Sequence, residues 1–330
     1  MLRCRHKYNR ILKGNKMNEK NSAPSKAQTV IKKVFSLPLL WLAVVAMMIA
    51  GQSVGSLTYL IFNLFPALEE SGAWVTGISY AYFTGIWIVV LLVLAVIPKN
   101  RPIFGALGGK VRGNTWNYLG VGLAIGFGTN ALCAAAAILH GDIHLRFDSF
   151  RPMSFVLIFA AVFIQSSAEE VLCRGFLYQR LMRTYRSPVI AIAGNSLLFA
   201  VLHLFNPGVS ALAIVNIAVV GVLFSLAVYY FDSFWCAAAI HAAWNFTQNI
   251  VFGLPNSGNV MPYAVFRLDA GSAAESFAYD PAFGIEGTLF ACIVLTLTCA
   301  GIILWGRRRN ARPTDIWAAE TAADTDTPQT

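Results

Sequence analysis

Charge is what this sequence has least of. Asp, Glu, Lys and Arg make up only 12% of its 330 residues, while 57% are hydrophobic. Soluble domains carry about a quarter charged residues, so a chain this poor in charge reads as a bundle of membrane helices, not as two or three soluble domains. Cysteine is sparse and unpatterned. The six residues Cys4, Cys133, Cys173, Cys236, Cys292 and Cys299 form no CxxC and fall mostly inside apolar runs, which argues against a disulfide framework. There is no HExxH and no internal repeat or inverted symmetry of the transporter kind. A cleavable signal is also absent from the reading, because the first apolar run is about twice the length of a signal h-region and reads as a retained span.

The net charge of +9 is concentrated at one end. Ten of the 25 Lys and Arg lie in residues 1–33, so the excess describes an arm and loops. No basic, aromatic-bearing folded module accompanies it, and a nucleic-acid partner is not expected. The arm is expected to be disordered or to lie on the membrane surface, with either Met1 or Met17 as the true start.

Beyond the arm come apolar runs of the ~20 residues a bilayer requires. They fall at 35–64, 74–97, 116–139, 153–178, 188–204, 209–230, 234–253 and 285–306, the fifth being short. With the N-terminus inside, 22 Lys and Arg fall inside and only Arg146, Arg151 and Arg267 outside, which favours an even number of spans with both termini inside. The expected fold is therefore all-α: a polytopic transmembrane helix bundle of about eight spans. Its divisions are a basic cytoplasmic arm at 1–33, a transmembrane bundle at 34–306 and a disordered cytoplasmic tail at 307–330. The 254–283 loop is the longest outside connection.

Within this apolar chain, a few polar residues stand out. Glu169, Glu170 and Arg174 continue the fourth run, where ionisable groups are costly unless paired or functional. Glu170 and Arg174 are four apart, share a helix face and can pair as structural support, leaving Glu169 without its own cation. His203 sits four after Phe199, and Asn245 four after His241. Counting 1.5 Å per residue from the turn near Arg183 to Ser187 places Glu169 and His203 at ~21 and ~24 Å, so they can meet at one level. His241 and Asn245 reach ~12 to 18 Å in from the turn at Asp232. The three helices are expected to converge on one polar cavity, open toward the inside. A carboxylate beside a histidine can deprotonate water, and a histidine and an amide can donate to an oxyanion. Asn195 and Gln248 read as helix-packing polar residues, Trp244 and Phe199 as packing, and Cys173 lacks an activating neighbourhood.

The Glu-Glu-x-x-x-Arg at 169–174, Phe-x-x-x-His at 199–203 and His-x-x-x-Asn at 241–245 resemble the three motifs of the type II CAAX endopeptidases, the CPBP intramembrane protease family, which includes lysostaphin-resistance and bacteriocin-immunity proteins. The resemblance covers about residues 150–250. It implies an intramembrane peptide hydrolase acting on membrane-embedded or lipidated peptide or protein substrates in the bilayer of a multi-pass membrane protein, at the plasma membrane if the host is bacterial. Carried over by position, Glu169 with His203 would activate water, and His241 with Asn245 would stabilise the oxyanion. No cofactor is favoured. A divalent metal such as Zn would be held by Glu169, His203 and His241. The alternative is a non-catalytic membrane protein, either an immunity or scaffold protein or a proton-coupled transporter, since intramembrane Glu and His also build proton relays.

Overall fold

The computed structural model describes residues 26–64 and 71–318, and the chain divides into two compact units, Met1–Leu39 and Leu40–Thr330. Most of the basic arm, with the question of Met1 or Met17, lies outside the described residues. The described part of the first unit is helical.

All eight apolar runs are helical. The first comprises α1 (Lys26–Gly55) and α2 (Thr58–Asn63), and the second α3 (Gly72–Ala81) and α4 (Thr84–Val96). After the short α5 (Ile103–Leu107) comes α6 (Trp116–His140). Then α7 (Pro152–Glu170) runs through a π-helical segment, Val171–Leu177, into α8 (Tyr178–Tyr185). There follow α9 (Pro188–Leu202), α10 (Ala211–Tyr230), α11 (Phe234–Phe246) with a second π segment at Thr247–Val251, and α12 (Leu289–Arg308). The starts are written in the sequence. Ser187, Ser210, Ser233 and Thr288 each cap a helix by accepting from the amide three residues on, and Pro152 and Pro188 occupy first-turn positions where the missing N–H costs nothing.

Among the described residues, six helical stretches are long and apolar enough to cross a membrane: 33–60, 72–96, 116–140, 152–185, 211–230 and 289–308. They make this an integral multi-pass membrane protein, with six such stretches where eight are expected. The two others differ for a physical reason. α9 has 15 residues. The seventh run carries His241, Asn245, Thr247, Gln248 and Asn249, all at most 8% exposed, so its polarity faces protein and not lipid. It is the buried centre of the bundle, packed against α6, α7 and α10. Against α6 the approach is close: a Cβ at Gly126 would lie 2.2 Å from the Ile240 carbonyl oxygen, so only glycine fits there.

The connections at one end are joined. β1 (Leu145–Phe147) pairs antiparallel with β2 (Phe266–Leu268), in the register Leu145↔Leu268, Arg146↔Arg267 and Phe147↔Phe266. Arg267 bonds Asp148 at 2.9 Å, and Ser276 donates to Asp142 at 2.5 Å. The long 254–288 connection is thus stitched to the 141–151 connection and sits as a structured cap on that end. At the opposite end, the tail expected to be disordered from 307 includes the last turn of α12 and a segment held against the bundle. Thr314 bonds Asp232 through both its amide and its hydroxyl, and Ile316 and Trp317 are buried.

Candidate active site

The site is built from the second half of α7. Glu170 and Arg174 form a 2.9 Å ion pair, both side chains fully buried. The guanidinium also donates to the Gly221 carbonyl at 2.9 Å and lies over the rings of Phe199 and Phe224, at 4.6 and 5.0 Å. With its amide oriented to satisfy its neighbours, Asn195 accepts from Arg174 Nε at 3.2 Å. Asn195 is therefore part of the support for this pair. Arg174 lies within the π segment, whose wider turn directly follows the two glutamates; the second π segment begins two residues after Asn245.

Glu170 holds a second partner that spacing does not reveal. The same oxygen that takes Arg174 accepts His241 Nδ1 at 3.0 Å. Nδ1 must carry the proton of that bond, so a neutral His241 presents the lone pair of Nε2 to the cavity, and only its imidazolium form donates there. His241 Nε2 is 3.8 Å from Glu169 Oε2. Phe224 stacks on the His241 ring at 4.9 Å, 20° from parallel, which locks its plane.

Glu169 is the less buried of the two acids, its side chain 21% exposed. Its Oε1 accepts from Gln165 at 2.6 Å. Among the described residues no hydrogen bond joins Glu169 to His203; the two face one cavity. His203 ends α9, and its Nδ1 donates back to the Phe199 carbonyl at 2.7 Å, an acceptor the helix terminus would otherwise leave open. The Phe-x-x-x-His spacing is thus a C-cap that fixes the tautomer and leaves Nε2 toward the cavity. Asn245 donates to Gln165 Oε1 at 3.2 Å and Ser166 Oγ at 3.3 Å, and accepts from Asn256 Nδ2 at 3.3 Å.

Glu169, His203, His241 and Asn245 all line a cavity of about 400 Å³. None of its lining residues comes from the 178–187 turn, whereas Asn206, Asn256, Ser257, Asn259, Met261 and Glu286 come from the capped end. The cavity is therefore roofed by the 254–288 cap and not open toward the Arg183–Ser187 turn. The helical rise already points this way: ~21 Å from one turn is some two-thirds of a ~30 Å hydrocarbon core.

Residues 151–247 match the family model described as Type II CAAX prenyl endopeptidase Rce1-like. This stretch is a domain of the type II CAAX protease family. No curated protein matches the chain. The CAAX protease domain runs from the residue before α7 to the end of α11 and contains all three motifs, while the 254–288 cap lies beyond it.

Four residues at the site of the CAAX protease domain escape sequence reasoning. Gln165 and Phe224 hold Glu169 and His241, yet on apolar spans they carry no signal beyond their polarity or size. Asn256 and Glu286 come from the cap. Glu286 accepts a hydrogen bond from the Ser257 amide, and the Ser257 hydroxyl and Trp244 lie near enough to favour its charged form as donors. Burial pushes the Glu286 carboxyl up from 4.5 to about 7, against those hydrogen bonds and the field of His241, which pull it down. For a metal, the donor set does not fit: among the described residues no three His, Cys, Asp or Glu side chains are gathered closely enough to hold an ion.

Proposed function

We propose that the chain is an intramembrane endopeptidase of the CAAX-processing kind, hydrolysing a peptide bond of a membrane-embedded or lipidated peptide, in the plasma membrane if the host is bacterial. The observation that carries this reading is the convergence, within the CAAX protease domain, of one partly exposed carboxylate and two histidine rings, each held at Nδ1 by an acceptor, on a single cavity. Glu169, with Oε1 held by Gln165, takes a proton from water at its other oxygen. His203 orients that water through Nε2. The water oxygen bonds to the scissile carbonyl carbon, and the developing oxyanion is met by Nε2–H of the His241 imidazolium, kept in place by Glu170. Asn245 supplies a second donor. Its present bonds of 3.2 and 3.3 Å are long, so trading one for the oxyanion costs little. The C–N bond then breaks and the amine leaves with a proton.

The test is purified full-length protein in liposomes with a quenched-fluorescent peptide carrying a C-terminal lipid. Cleavage at one defined bond, identified by mass spectrometry, is the expected result. No cleavage of this peptide or of its unlipidated transmembrane counterpart would overturn the reading in favour of a non-catalytic membrane protein. Turnover retained after exhaustive chelation is expected for the glutamate-type mechanism. Loss on chelation that is restored by added Zn would replace it with a metallopeptidase one.

A further inference from the structure

The cap delivers a second carboxylate into the cavity. Glu286 sits on a short turn, Ile285–Gly287, just before α12. This turn is fixed by Asn216 of α10, a residue 1% exposed, whose amide donates at 2.8 Å to both the Glu286 and the Thr288 carbonyls. Its carboxylate meets the Asn256–Asn259 hairpin, where paired backbone bonds of 2.9 Å close a two-residue turn. Both central residues have positive φ, Ser257 at 47° and Gly258 at 80°, as a type I′ turn requires. The non-glycine Ser257 is held in a strained conformation that aims its N–H at Glu286, and strain of this kind persists where the surroundings impose it. The same hairpin sends Asn256 to Asn245. Two elements thus converge to hold one acid at the cavity wall, and the chemistry assigned to Glu169 leaves it without a task.

We propose that Glu286 is the general acid of the reaction: its protonated carboxyl donates to the leaving nitrogen as the C–N bond breaks. This rests on the peptidase reading above. The proton balance closes. Water gives OH to the carbonyl carbon and a proton to Glu169, Glu286 gives its proton to the amine, and one proton passes from Glu169 back to Glu286 to reset the site. Division of labour between two acids suits a cavity whose base must be ionised while its acid is not. The carboxyl at about 7 fits the second role. The other titratable groups lining the cavity are Tyr80, Glu169, Cys173, His203 and His241.

The experiment compares two substrates of one peptide sequence, one with the scissile amide and one with an aryl ester whose phenolate departs unprotonated. In liposomes, Glu286→Gln is expected to lower kcat for the amide about 10²-fold or more at unchanged KM, while ester turnover stays within about threefold. The fall in amide kcat as pH rises through about 7 should also vanish in this variant. Retained ester turnover certifies that the variant is folded. Wild-type amide kcat in Glu286→Gln, or amide and ester falling together, would overturn the proposal. Wild-type protein cleaving neither substrate would instead overturn the peptidase reading, and Glu169→Gln, expected to lose both, separates the two cases.

Discussion

Replacing Arg174 by methionine removes the cation from the fully buried pair while keeping an unbranched apolar chain in its place. Glu170 then retains only His241 as a partner, and its second oxygen already lacks one among the described residues. Breaking one side of a buried ion pair costs about 3–5 kcal/mol because a charge is left without compensation. Loss of the contacts over Phe199 and Phe224 adds to this. At roughly 2 °C per kcal/mol for a chain of this size, the thermal midpoint in detergent should fall by at least about 6 °C. The double variant Glu170→Gln/Arg174→Met removes the stranded charge, and the Gln oxygen can still accept from His241. It should recover at least about half of the loss. A single variant within about 1 °C of wild type, or a double variant no more stable than the single, would refute the view that Arg174 is there to neutralise Glu170.

Other consequences are measurable. Gly126→Leu should prevent α6 from seating on α11 and cost more than about 3 kcal/mol, seen as loss of monodisperse protein on size exclusion, because the added carbon meets the backbone oxygen of Ile240. Gly258→Val should strain the Asn256–Asn259 turn, lowering kcat about tenfold while the thermal midpoint of the bundle moves little; an unchanged kcat would detach the turn from the site. Glu286 binds its proton more tightly folded than unfolded. Its contribution to stability is therefore full below pH 4.5 and is lost as pH rises to about 7, by at most about 3 kcal/mol. Wild type should lose stability relative to Glu286→Gln between those pH values, and parallel pH curves for the two would contradict this.

What the sequence made legible was whatever follows from helical spacing. Glu170 and Arg174, Phe199 and His203, and His241 and Asn245 each sit one turn apart, and in each case the structure uses that turn: for an ion pair, for a C-cap, and for placing two polar side chains on one face. Contacts between helices were not legible. Nothing in the spacing ties His241 to Glu170, because that bond joins residues 71 apart. The span count exceeded the six long apolar stretches because an apolar run reads alike whether it faces lipid or, as in α11, the protein interior. The cap was the largest gap. Its Gly, Pro and acidic residues have the composition of an ordinary loop, and its place over the cavity depends on β1, Asp142 and Asn216, which are far away in sequence.

In the proposed mechanism Glu169 activates water in a cavity it shares with His203, His241 and Asn245. The most direct measurement is kcat of Glu169→Gln against wild type on the lipidated peptide in liposomes, with the thermal midpoint of both recorded. A fall of at least about 10²-fold with the midpoint preserved is expected, since glutamine keeps the bond to Gln165 but cannot take a proton. A folded Glu169→Gln protein that retains kcat within about tenfold of wild type would contradict it.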